Sequence, residues 1–118
     1  MNYIYMSGDG FRTEIGLRGN RLVYFKAGYS KHPVFRGAQL SYEARRKFGI
    51  KYSFNVKEAH TYPVGDKDTA KRVEAYVLNK IAELAKERIG AEHFLITKSS
   101  RKKCYMLLPQ WCAEALAQ

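Results

Sequence analysis

The sequence lacks the features that mark several protein classes. No apolar stretch of its 118 residues approaches the roughly 20 residues that a membrane-spanning helix needs, so we expect no membrane contact. The first residues combine no basic segment with a long apolar core, so we expect no signal peptide and a cytoplasmic location. No internal repeat or low-complexity segment is present, and residues 1–118 are therefore expected to form one folded domain.

Cysteine and histidine are also scarce. The two cysteines, Cys104 and Cys112, lie eight residues apart, and the three histidines do not group with them. This spacing matches neither a zinc site nor a redox pair, so the sequence predicts two reduced thiols, buried or half-buried, in a cytosolic protein.

Positive charge is abundant. The chain has 21 Lys and Arg against 11 Asp and Glu, a formal net charge of +10, which attracts polyanions. Each basic cluster taken alone also fits a solvated surface. Together, the clustered basic residues are our candidates for nucleic-acid binding: Lys31, His32, Arg45, Arg46, Lys47, Arg101, Lys102 and Lys103.

The first third of the chain shows strand patterns. Tyr3–Met6 is rich in aromatic and β-branched residues, Ser7–Gly10 has turn composition, and Phe11–Leu17 alternates apolar with polar residues. Gly19–Asn20 predicts the tip of a hairpin whose returning strand begins with Leu22–Phe25.

A helix is predicted to follow, with Pro33 in its first turn and Gly49 at its end. The segment Tyr52–Tyr62, which alternates over Tyr52–Val56, predicts a further strand, and Pro63–Lys67 a loop.

The second half begins with the clearest helix pattern. Asp68 is the expected N-cap and Gly90 the expected end. His93–Thr97 predicts a strand, Lys98–Lys103 a basic turn, and Met106–Ala117 a short final helix. We therefore predict an α+β fold, with a small, mostly antiparallel sheet, two main helices and a short C-terminal helix.

Two charged residues lie at the margins of predicted apolar stripes. Glu74 precedes Leu78 and Ile81 by four and seven residues, and Arg36 precedes Leu40 by four. A half-buried carboxylate needs a partner, such as an arginine, hydrogen bonds or a metal ion. The two residues either pair with each other or serve a site.

Tyrosine and lysine on the predicted strands would complete such a site. Phosphodiester cleavage needs a group that accepts a proton from water, a cation near the phosphate and usually a metal held by a carboxylate. Tyr5, Lys26, Arg36 and Glu74 supply these groups, and one carboxylate suits Mg²⁺, which keeps most of its waters.

In this order the motifs resemble those of the GIY-YIG endonuclease superfamily, especially the viral and phage-type branch whose second motif reads Lys-Ile-Gly. The resemblance spans about Tyr3 to Ile96. The segments that carry it are Tyr3-Ile4-Tyr5, Phe25–Ser30, Lys31–Arg36 with Gln39-Leu40, Val73-Glu74-Ala75 with Leu78, and Glu92-His93-Phe94.

The resemblance implies a metal-dependent DNA endonuclease. Tyr5 would act as general base or orient water, Lys26 would polarise the nucleophile or phosphate, and Arg36 would stabilise the transition state. Glu74 would hold one Mg²⁺ or Mn²⁺ ion. Because so short a chain has no separate DNA-reading domain, specificity would come from the domain itself or from a homodimer.

The chain departs from the family pattern in its first hairpin. Asn2 replaces a glycine, Ala27 replaces the usual isoleucine, and the long Ser7–Arg21 segment separates the two motifs. Either an extra hairpin is inserted, or Glu14-Ile15-Gly16 lies nearer the first-motif position. Two other functions remain open, a catalytically silent nucleic-acid-binding module of the same fold and a small protein-binding inhibitor.

Overall fold

The computed structural model describes residues 1–15, 21–48 and 56–118. Within these residues, five strands form one antiparallel sheet with three α-helices, which confirms the α+β class. The strands are β1 (Asn2–Ile15), β2 (Arg21–Ser30), β3 (Thr61–Gly65), β4 (Glu87–Arg88) and β5 (His93–Thr97), in the spatial order β3-β1-β2-β5-β4. The helices are α1 (Pro33–Phe48), α2 (Lys67–Leu84) and α3 (Lys98–Leu116).

The first two strands form one long hairpin. The turn predicted at Ser7–Gly10 is wrong, because β1 continues through it and a register shift between Gly8 and Thr13 absorbs the glycine-rich segment. The described part of the chain therefore contains a lengthened hairpin at this point and not an inserted one. Tyr5 lies opposite Gly28 in the ladder, so the strand with Tyr3–Tyr5 does pair with the end of β2. The predicted tip, Gly19–Asn20, lies outside the described residues.

The third strand falls later in the chain than the sequence pattern predicts. Of the predicted strand Tyr52–Tyr62, residues 52–55 lie outside the described part, and Glu58–His60 form a single 3₁₀ turn. The loop predicted at Pro63–Lys67 is wrong, since Thr61–Gly65 is β3. A proline is tolerated there because β3 is an edge strand, in which every second N–H points away from the only neighbouring strand and makes no hydrogen bond within the sheet.

The first helix, α1, begins at Pro33 as predicted, and Gly49, its predicted end, lies outside the described residues. Helix α2 begins two residues earlier than predicted and ends earlier than predicted. Its N-cap is Asp66, whose side chain accepts a hydrogen bond of 2.8 Å from the Thr69 N–H. It ends at Leu84, well before Gly90, because the following residues pair with β5 as β4.

The short C-terminal helix predicted at Met106–Ala117 is wrong in length. Helix α3 has 19 residues and starts at Lys98, so the basic segment predicted as a turn is its N-terminal part. The Thr97 side chain caps it by accepting from the Ser100 N–H at 3.2 Å. The basic composition hides a buried stripe that begins earlier than Met106: Cys104, Leu108, Trp111, Cys112 and Ala115.

Both cysteines lie on this stripe as free, buried thiols, which confirms their predicted state. Burial raises the pKa of each thiol to about 12, so neither is reactive at neutral pH in the folded protein. Among the described residues, no helix combines the length and the apolar character that crossing a membrane requires.

The helices cover opposite faces of the sheet. Alternate residues of the strands, such as Ile4, Phe25 and Ile96, pack in one core with α2 and α3. On the other face, Tyr5, Tyr24 and Leu95 pack with Leu40 of α1. The candidate catalytic side chains Tyr5 and Lys26 therefore point to the side that α1 covers.

Candidate functional site

A buried lysine lies beside a buried tyrosine on the central strands. Lys26 of β2 faces Ser7 of β1, two residues from Tyr5, so the two side chains share one sheet face. Lys26 Nζ donates a hydrogen bond to Tyr5 Oη at 3.1 Å, and the two residues are only 3% and 1% exposed. A fully buried lysine is costly and needs close polar partners.

The glycine of the Lys-Ala-Gly segment makes this contact possible. Gly28 lies directly opposite Tyr5, and a Cβ atom there would lie 2.7 Å from Tyr5 Oη and 3.2 Å from Lys26 Nζ. Only a residue without a side chain leaves this space, so Gly28 is required by the close approach of the other two groups.

A carboxylate that the sequence analysis assigned no role completes the ion pair. Glu92 Oε2 lies 2.7 Å from Lys26 Nζ, and its side chain is 37% exposed. Its position is fixed by the Ala27 N–H, which donates to the Glu92 carbonyl at 3.3 Å. The signal was a carboxylate immediately before β5, but its meaning depends on the pairing of Lys26 with His93, which sequence does not give.

Glu74 joins the same group from α2. Because β5 begins opposite Lys26, the edge of β2 is open beyond that point, and the Tyr29 N–H there hydrogen-bonds to the Glu74 carboxylate. Burial and, next, the charge of Glu92 raise the pKa of Glu74 from 4.5 to about 7, although Lys26 and the Tyr29 hydrogen bond act in the opposite direction. The predicted marginal position of Glu74 is confirmed, and its charge is only partly compensated.

Arg36 is engaged elsewhere. Its guanidinium contacts Glu43 at 3.2 and 3.4 Å and Gln39 at 2.9 Å, both on its own helix. These residues and Tyr42 line a surface cavity of about 420 Å³. The structure thus brings Tyr5, Lys26 and Glu74 together, whereas the contacts of Arg36 keep it on α1. The alternative pairing of Arg36 with Glu74 is not formed either.

The candidate nucleic-acid-binding residues divide between the two sides of the molecule. Lys31 and His32 are exposed just before α1, and Arg45–Lys47 lie on α1. Arg101–Lys103 lie near the start of α3, on the opposite side of the sheet, where Lys102 and Lys103 are exposed. A single DNA duplex would contact the α1 group or the α3 group directly, or reach both only around an edge of the sheet.

A second polar group is buried next to Lys26. Ser7, its cross-strand neighbour, is fully buried, and its Oγ has no hydrogen-bond partner. A polar group of this kind destabilises the fold by roughly 1–3 kcal/mol. Fold stability alone therefore does not account for this polar group, which is typical of functional sites.

Whether these residues suit a metal ion can be judged from their charge. In the described part of the chain, no three His, Cys, Asp or Glu side chains gather as a multi-ligand site. Glu74 and Glu92 nevertheless lie close enough to interact electrostatically, with Lys26 as the cation within the group. When Glu74 is ionised, the two carboxylates and one ammonium leave one negative charge, which fits a hydrated Mg²⁺ or Mn²⁺ ion held by one or two carboxylates.

Comparison with protein-family models, with characterised proteins and with solved structures finds no match to this chain.

Proposed function

We propose that the protein is a metal-dependent DNA endonuclease of GIY-YIG type. The observation that supports this most is the buried Lys26 ammonium, which contacts Tyr5 Oη at 3.1 Å and Glu92 Oε2 at 2.7 Å beside Glu74. A buried cation, a phenol and two carboxylates at one sheet edge are the groups that phosphodiester hydrolysis uses.

Tyr5 and Lys26 would act on the nucleophile. Because Tyr5 Oη accepts from Lys26 Nζ, the tyrosine proton is directed away from the lysine and can be donated to a water or phosphate oxygen. This arrangement orients a water molecule, and Gly28 keeps the space around the hydroxyl open.

The carboxylates would hold the cation. Glu74, with Glu92 beside it, would bind one Mg²⁺ or Mn²⁺ ion, which when bound neutralises charge at the scissile phosphate. Without a cation, these two carboxylates would repel DNA phosphates from the exposed edge of the site. The carboxylates thus fit a role in substrate binding only with a cation present.

Arg36 would act by exchanging partners. Its ion pair with Glu43 is half-exposed, and such pairs contribute only about 0–1 kcal/mol, so a phosphate can replace the glutamate. The arginine would then stabilise charge on the phosphate.

A plasmid-nicking assay tests this proposal. The wild-type protein should convert supercoiled plasmid to the nicked form with Mg²⁺ and not with EDTA, and Glu74→Ala and Arg36→Ala should each reduce the rate at least about 100-fold. Nicking by Glu74→Ala at the wild-type rate would refute the metal role, and nicking by Arg36→Ala at that rate would refute the role of the arginine.

A second function, a catalytically silent nucleic-acid-binding module, is favoured by one observation. Tyr5 and Lys26 are almost completely buried, so substrate atoms reach them only if a covering group moves. Salt-sensitive DNA binding without cleavage by the wild type would support this function over the first.

A further inference from the structure

Helix α1 presents an aromatic and basic face to solvent. Its buried residues, Pro33, Gly37 and Leu40, follow at spacings of four and three and define the side that packs on the sheet. The opposite side carries residues at spacings of four, three and four: Phe35, Gln39, Tyr42 and Arg46. We call these four residues the outer face of α1.

Two large aromatic side chains lie exposed on this face, although side chains of this kind are usually buried. Phe35 is 80% exposed and Tyr42 63%, and the Arg46 guanidinium lies 5.8 Å from the centre of the Tyr42 ring. Exposed aromatic rings lose the stabilisation that burial provides, and a guanidinium at an exposed ring restores only a small part of it. Fold stability gives little reason for this arrangement.

The positive charge of α1 indicates which kind of ligand suits its outer face. Helix α1 contains four basic residues and one acidic residue, and exposed Lys31 and His32 precede it. A ring surface with this charge excess is complementary to a polyanion that offers flat apolar groups, as a nucleic-acid strand does when its bases are unpaired. The bases of a duplex are stacked on one another and do not offer their faces.

We propose that the outer face of α1 binds unpaired bases of single-stranded DNA by stacking on Phe35 and Tyr42. Phe35 and Tyr42 are seven positions apart, about 10 Å along the helix, so the two rings lie on the same side of α1 and offer separate stacking positions. Arg46 and Lys31 would contact the phosphates. This inference rests on the proposed function in taking DNA as the ligand, but it does not require cleavage.

The test compares two DNAs by fluorescence anisotropy in EDTA, so that no cleavage occurs. The probes are a fluorescein-labelled 20-nucleotide oligo(dT) and a blunt 20-base-pair duplex with the same label. Phe35→Ala and Tyr42→Ala should each weaken oligo(dT) binding about tenfold and duplex binding less than twofold. Val34→Ala is the matched control, because Val34 is 60% exposed on the same helix but off the outer face, and it should change neither affinity.

Four results would overturn the inference. Unchanged oligo(dT) binding by Phe35→Ala and Tyr42→Ala, or equal weakening of both DNAs, would remove the stacking role while leaving DNA binding in place. Sedimentation showing a wild-type dimer that Phe35→Ala dissociates, with oligo(dT) affinity unchanged, would assign the face to a second copy of the chain. If the wild type binds neither DNA at low salt in EDTA, the inference fails, whereas the proposed function is decided separately by the nicking assay with Mg²⁺.

Discussion

Replacing Glu74 with glutamine should stabilise the protein at alkaline pH. Because burial and Glu92 raise the pKa of Glu74 from 4.5 to about 7, the folded state binds this proton more tightly than the unfolded state. The free energy of unfolding is therefore unaffected by the carboxylate below about pH 4.5. The free energy of unfolding decreases as the pH rises towards 7, and above that value the ionised carboxylate destabilises the fold by its full amount.

The size of the effect follows from the shift. One pKa unit corresponds to about 1.4 kcal/mol, so a shift to about 7 sets an upper limit of roughly 3 kcal/mol. Glu74 is only partly buried, and solvent screening reduces this to about 1–2 kcal/mol. Glu74→Gln removes the charge and keeps an oxygen for the Tyr29 N–H, so it should gain about 1–2 kcal/mol at pH 8.5 and much less at pH 5.

Urea unfolding followed by the fluorescence of buried Trp111 measures this difference in EDTA at both pH values. The matched control is Glu92→Gln, which removes the negative charge paired with buried Lys26 at 2.7 Å and should destabilise the protein by about 1–2 kcal/mol at pH 8.5. Opposite signs for these two Glu→Gln changes are the critical result. The reasoning would be refuted if Glu74→Gln were less stable than wild type at pH 8.5, or if it changed the free energy of unfolding equally at both pH values.

Three further results are expected. At pH 8, Mg²⁺ should raise the melting temperature of the wild type and not that of Glu74→Gln, because only a bound ion adds to stability, and equal shifts in a thermal scan would contradict the metal assignment. Gly28→Ala should lower the free energy of unfolding by about 1–3 kcal/mol, because its new methyl group clashes with the tyrosine hydroxyl. Gly65→Ala has nothing within 4 Å and should lower it by only about 1 kcal/mol, through its φ of 105°. Chemical denaturation measures both values, and similar losses would contradict the packing argument. Cys104 and Cys112 should react with a thiol reagent at pH 8 only after denaturation, and rapid reaction of the native protein would show that they are accessible.

The sequence predicted the parts of the fold that depend on local pattern. The strand His93–Thr97 and the buried positions Val73, Val77 and Ile81 are confirmed, because alternation and helical spacing record which side is buried. The start of α3 was missed because Lys98–Lys103 has turn composition, and the buried stripe that makes it helical begins only at Cys104.

The contacts of the candidate site were even harder to predict from local sequence patterns. Helical spacing placed Glu74 at the core margin, and the strand pattern placed Tyr5 near the sheet, but no local signal linked Lys26 to Glu92. That ion pair depends on the register between β2 and β5, which joins residues 66 positions apart. Arg36 was predicted from its own helix and is held there by Glu43, a neighbour seven residues away.

The central claim is that the buried lysine and its neighbours form a hydrolytic site, and one comparison tests it most directly. Mg²⁺-dependent plasmid nicking is measured for Lys26→Met and for Lys71→Met, an exposed lysine of α2, after both proteins are shown to be folded. The proposed function predicts at least about a 100-fold loss of rate for Lys26→Met and less than a twofold change for Lys71→Met. A Lys26→Met protein that nicks plasmid at the wild-type rate would contradict it.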